Sequence, residues 1–154
     1  MKRKVNNDKK SYNLQHSADE AQIRQKMEEH VKALCKIDLK GVMSFYAPYI
    51  LSFDVEGTYV GVEEKKEAWT KIFSMIEPPL KYEIDELSIT AGADVAFASC
   101  YNRLLGKLKN GQQIDSRVRY TACFRKYEGG WLIAHEHVSM PIHFENNKAV
   151  PDPG

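Results

Sequence analysis

The sequence predicts an α+β fold in which helices come first and a β-meander follows. Three observations carry this. Apolar residues recur at helical spacing through Ile23, Met27, Val31, Leu34 and Ile37. After Pro78-Pro79 the pattern changes to long runs of strand-forming residues. These runs are separated by Ala91-Gly92-Ala93-Asp94, by Asn110-Gly111, a strong hairpin signal, and by Glu128-Gly129-Gly130.

Each element has its own signal. Ser17-Ala18-Asp19-Glu20 has the form of a capping box and opens the first helix. Asp38 reads as the N-cap of a short second helix carrying Leu39, Val42, Met43 and Tyr46, stopped by Pro48. Short strands over 50–53 and 58–60 flank a turn at 54–57. The spacing predicts a third helix over 62–76 with Trp69, Ile72, Phe73 and Ile76 on one side, ended by Pro78-Pro79. Strands follow over about 80–90, 95–107, 112–127 and 131–140. Residues 17–141 form one domain, flanked by a disordered basic tail over 1–16 and an irregular, proline-bearing tail over 142–154.

The whole chain of 154 residues has a formal net charge of +1, so nothing points to a polyanionic partner for the body. Lys2, Arg3, Lys4, Lys9 and Lys10 against Asp8 concentrate +4 before Ser17, which leaves the remainder at about −3. A solvated terminus accounts for that tail, and no nucleic acid partner is expected. Cys35, Cys100 and Cys123 lack CxxC or CxxH spacing, so they read as free thiols and not as a disulfide framework or zinc site. No run of about 18 apolar residues spans a membrane, and no apolar leader opens the chain. The expectation is a cytoplasmic protein with no metal and no cofactor.

A face calculation follows from the turns. Two-residue hairpins at Asn110-Gly111 and Gly129-Gly130 would set Tyr101 opposite Tyr120, Ser99 opposite Ala122, Arg103 opposite Val118 and Phe124 opposite His135. One face then carries Ser99, Tyr101, Arg103, Tyr120, Phe124, His135 and His137, a mixture suited to lining a ligand cavity. The other carries Asn102, Arg117, Arg119, Thr121, Cys123 and Glu136, which reads as the interface of a homodimer. A slip of one residue would exchange the faces.

Two stretches carry a family resemblance. His30-Val31-Lys32-Ala33-Leu34 through Asp38-Leu39-Lys40-Gly41 to Asp54-Val55-Glu56-Gly57 resembles the opening of the ketosteroid isomerases. Trp131-Leu132-Ile133-Ala134-His135-Glu136-His137-Val138-Ser139 resembles the last strand of the calcium/calmodulin-dependent protein kinase II association domain. The chain is thereby identified as a member of the nuclear transport factor 2-like superfamily, with the SnoaL-like polyketide cyclases. The resemblance implies a cone-shaped, curved antiparallel sheet packed against the N-terminal helices, a cystatin-like or ketosteroid isomerase-like domain enclosing one pocket. It places Asp54 on the isomerases' general base. Those enzymes pair an aspartate base with an oxyanion hole made of a tyrosine and a protonated aspartic acid. Here His30 stands at the tyrosine position and Ala122 at that of the second acid. Losing one such donor costs ~2.7–4 kcal/mol of transition-state stabilisation, which argues against steroid isomerisation by that route.

Two functions of different class follow. One is a cofactor-independent isomerase, cyclase or dehydratase. Asp54 would abstract a proton α to a carbonyl of a small hydrophobic or anionic molecule, and His30 and His137 would stabilise the enolate. Ser99, Tyr101, Arg103, Tyr120, Phe124 and His135 would bind the ligand, with Phe53 and Trp69 in the wall. The other is a non-catalytic small-molecule-binding or dimerisation domain.

Overall fold

The computed structural model describes residues 16–150. The tail over 1–15 and the last four residues, 151–154, lie outside the described residues. The elements are α1 (Ser17–Cys35), α2 (Leu39–Met43), β1 (Tyr46–Phe53), β2 (Thr58–Val60), α3 (Gly61–Met75), β3 (Ile76–Ala91), β4 (Val95–Leu108), β5 (Gln113–Tyr127) and β6 (Gly130–Ser139). Six strands form one curved, unclosed sheet in the order β2-β1-β6-β5-β4-β3. The meander β3 to β6 is antiparallel as the sequence predicts. β1, between the edge strand β2 and β6, pairs parallel with β6, so the sheet is mixed.

The helices cover the inner face. α1 packs on β3 through a stripe that includes buried Ile23, Met27 and Leu34, and α3 packs on β1. Trp131 on β6 is fully buried, and its indole N–H donates to Asp19 at 3.2 Å, tying the start of α1 to the sheet. Lys126 reaches the same carboxylate oxygen at 2.8 Å. Ser17 is thus the first helical residue and no side chain caps the helix, a correction to the capping-box reading. Asp38 does cap α2, accepting from the Gly41 N–H at 3.0 Å. A Cβ at Gly41 would lie 2.4 Å from an Asp38 carboxylate oxygen, so a side chain there would displace the cap. Tyr46, expected in the second helix, instead opens β1, and Pro78-Pro79 lie inside β3.

Two local features set which face each strand presents, and both depart from the expected pairing. The β4–β5 hairpin has a three-residue loop. The Gly111 N–H donates to the Leu108 carbonyl at 2.9 Å, and Gly111 takes φ of +94° before Leu108 and Gln112 close the ladder. The ladder therefore pairs Tyr101 with Arg119 and Asn102 with Val118, one residue from the two-residue register. On β6 the pairing shifts between Cys123 and Phe124, leaving Ala134 as an extra residue. Ile133 stays beside Phe124, but beyond the bulge Glu136 meets Ala122 and the histidines meet Cys123 and Thr121.

Candidate functional site

Between α1, α3 and the inner face lies a cavity of about 180 Å³. Its walls are mostly apolar, among them Met27, Leu34, Ile72, Leu80, Leu104 and Phe124. The polar groups are few and grouped. Helical spacing brings Lys65 onto the same side of α3 as Trp69 and Ile72. Parallel pairing sets Ser52 of β1 beside Glu136 of β6, and both are buried. The turn after β1, closed by reciprocal backbone hydrogen bonds between Asp54 and Gly57, carries Asp54 to the cavity wall.

Lys65 is the hub of this cluster. Its side chain is 2% exposed, and Nζ lies 2.6 Å from Glu136 Oε1 and 3.2 Å from Asp54 Oδ2. It also donates to Ser52 Oγ at 3.1 Å. Its charge sits 5.4 Å from the ring centres of Tyr59 and Trp69. Glu136 is spent on its partners: Lys65, the Ser52 hydroxyl at 2.8 Å, the Tyr120 hydroxyl at 2.8 Å and the Tyr46 hydroxyl at 3.4 Å. Burial alone would raise the Glu136 pKa. The Lys65 charge and these hydrogen bonds outweigh it and hold the carboxyl below its ordinary value. Glu136 is therefore an anion of structure. Asp54 differs: one oxygen takes the Val55 N–H and the other takes Lys65, while its side chain keeps 21% exposure.

His30 faces this cluster from α1, its ring 5.0 Å from that of Phe45 and 5.7 Å from that of Tyr46. The residue keeps some accessible surface, but its Nε2 atom is buried with no hydrogen-bond partner among the described residues. Burial, with the Lys65 charge adding to it against Glu136, lowers its pKa to about 4, so the imidazole is neutral at pH 7.

Of the sequence-predicted residues, Asp54, His30, Tyr120, Phe124 and Trp69 meet in the cavity. The register shifts put the others elsewhere. Ser99, Tyr101 and Arg103 lie on the outer face because the three-residue loop turns the even-numbered residues of β4 inward. Arg103 there forms a two-pronged pair with Asp115, both contacts 2.9 Å. His135 and His137 also face outward, because the bulge at Ala134 reverses β6. Phe53 lies among them, 5.1 and 5.9 Å from their ring centres, and His135 Nδ1 contacts the Leu51 carbonyl at 2.7 Å. Among the described residues no three His, Cys, Asp or Glu side chains are gathered to hold a metal.

The cavity's polar groups that went unrecognised in the sequence include Lys65, Tyr82, Glu136 and Asn102. Lys65 was within reach, since it stands four residues before Trp69 on the apolar side of α3. Glu136 and Asn102 were assigned to the outer face by the same slips that brought the wrong residues in.

The comparisons agree with this architecture. The SnoaL-like domain family matches residues 23–143. No curated protein matches the chain. A nuclear transport factor 2-like protein of unknown function from Pseudomonas putida is 28% identical, with a TM-score of 0.80 over 90% of this chain and 97% of its own. A nuclear transport factor 2-like superfamily protein from Salmonella enterica is 18% identical, with a TM-score of 0.77 over 87% and 99%. A ketosteroid isomerase-like protein from Erwinia carotovora is 22% identical, with a TM-score of 0.68 over 79% and 95%. The last two show the fold alone. The chain belongs to the SnoaL-like domain family, within the nuclear transport factor 2-like superfamily.

Proposed function

We propose that the cavity binds a small, mostly apolar molecule and that Asp54 removes a proton α to one of its carbonyls. One observation carries this reading. Asp54 is a carboxylate at the cavity wall that is held in place by Lys65 yet still partly open, whereas Glu136 is consumed by four partners. A general base needs hydrogen-bond reach of its proton and lone pairs that are free to take it. The neutral imidazole of His30, in the tautomer with its proton on Nε2, polarises the carbonyl as the enolate forms. His137, on the far side of the sheet, is left out of the mechanism.

The reaction class is tested by proton exchange. Wild-type protein in D2O should speed deuterium incorporation into the α-positions of 2-tetralone, followed by NMR. Asp54→Asn should remove about 10²–10⁴-fold of that acceleration while leaving the melting temperature close to wild type. Tight binding without exchange would favour the non-catalytic binding alternative.

A second copy of the chain is the partner we propose for the outer sheet face. Phe97 on β4 is 52% exposed there, on the same face as the two histidines of β6 and Phe53 of β1. Glu83 and Asp85 on β3 face the same way as Arg117 and Arg119 on β5. A two-fold axis along β4 lays one copy's acids over its partner's arginines.

A further inference from the structure

The cavity has a second polar end that the proton-abstraction reading does not use. Tyr82 on β3 and Asn102 on β4 both line it. They stand near the sheet edge opposite the one that carries Asp54. Asn102 is 4% exposed in the cavity wall, with the apolar Leu80, Ile84 and Leu104 among its neighbours. An amide so buried needs partners for both its ends. Its oxygen has one, because the Cys100 thiol donates to Oδ1 at 3.2 Å. Burial, with Asp85 adding to it, pushes that thiol up to about 12, so it stays protonated and remains a donor. The contact fixes which way the amide points and turns the NH2 group toward the Tyr82 oxygen. That oxygen takes one of its two N–H donors and leaves the second N–H and the Tyr82 O–H for a ligand. The Tyr82 hydroxyl lies beside it, and burial raises its pKa, so it too remains protonated.

We propose that Tyr82 and Asn102 form a distal subsite that hydrogen-bonds an oxygen on the far end of an uncharged ligand. Tyr82 and Asn102 stand on β3 and β4 while Asp54 follows β1, with β6 and β5 between, so the ligand is an apolar body with one oxygen at each end. Two features keep it neutral. Asp54 and Glu136 outnumber Lys65 at one end and repel a carboxylate. At the other end the donors are uncharged and offer an anion no full countercharge.

This inference rests on the reading that the cavity binds a ligand, and its test can fail separately from the catalytic one. The probes are 2-tetralone and 6-hydroxy-2-tetralone, which differ by one distal hydroxyl, with quenching of tryptophan fluorescence as the readout (Trp69 stands in the wall). The hydroxylated probe should bind wild-type protein about three- to tenfold more tightly, the value of one net hydrogen bond. Tyr82→Phe should bring that ratio to about one or below. The ring is retained, so a near-wild-type melting temperature is expected. Asn102→Leu should do the same to the ratio, and Asp54→Asn should leave it intact while exchange is lost. A hydroxylated probe that binds wild type no more tightly, or a ratio unchanged by both subsite substitutions, overturns the assignment.

Discussion

His30 stands in the cavity wall with a neutral ring and an unpartnered Nε2, and its charge state couples the pocket to pH. The folded value near 4 lies below the ordinary 6.5. Above pH 6.5 both folded and unfolded forms hold a neutral imidazole, and the fold pays no penalty. As pH falls from about 6.5 toward about 4, only the unfolded chain takes up the proton. Stability is therefore lost across that window, by roughly 3 kcal/mol in total. Thermal melts at pH 7 and pH 4.5 should show this loss, and His30→Gln should have a flatter profile between them. An equally steep profile in the variant would place the titration elsewhere. Lys65 gives the second test at this scale. Lys65→Met leaves Glu136 buried without its cation, a change expected to cost about 3–5 kcal/mol and to lower the melting temperature by about 10–20 °C. Adding Glu136→Gln should recover part of the loss, because the uncompensated charge is then gone. A double variant no more stable than Lys65→Met would mean that the cluster is held by something other than this pair.

Within single elements, the sequence spoke clearly wherever the signal was local. The helical stripe through Ile23, Met27 and Leu34, the Asp38 cap and the strand run before Asp54 all lie where residue types and spacing predict. Pairing between elements was less legible, because one residue decides it. The Asn110-Gly111 turn needed one more loop residue than the two-residue type, and Ala134 sits outside the ladder. Neither change alters strand propensity, so no pattern along the chain betrays it, yet together they exchange Arg103 for Asn102 and the histidines for Glu136. Asp54 and His30 escaped these errors because a turn and a helix place them, not a register. The bulge reading makes a specific prediction. Deleting Ala134 removes the unpaired residue but keeps Glu136 facing Lys65, so the variant should fold with a native sheet signal in circular dichroism and a modestly lower melting temperature. If β6 were a regular strand, the same deletion would turn Glu136 outward and unfold the protein.

At the scale of the whole molecule, the curved sheet divides its two surfaces by task. The inner face and the helices account for the cavity, and no helix among the described residues is long and apolar enough to cross a membrane. The outer face is left with aromatic rings too large and too exposed to be explained by folding alone, Phe97 at 52% and Phe53 at 41%. Acids on β3 and arginines on β5 flank the strip, and the Arg117 guanidinium lies over the Tyr101 ring at 4.3 Å. A two-fold assembly through this face predicts that light scattering on a gel-filtration column gives twice the 17.6 kDa chain mass. Phe97→Asp should return the mass to one chain without changing the melting profile of the cavity's ion cluster, since the two faces share no side chains. Arg119→Glu should weaken the dimer, and adding Asp85→Lys should restore it, because the swapped pair again sets opposite charges over one another. Raising salt should weaken the wild-type dimer only in part, as screening acts on the flanking charges and not on the buried rings. A wild-type chain that runs as a monomer at every concentration would leave this face without a partner of its own kind.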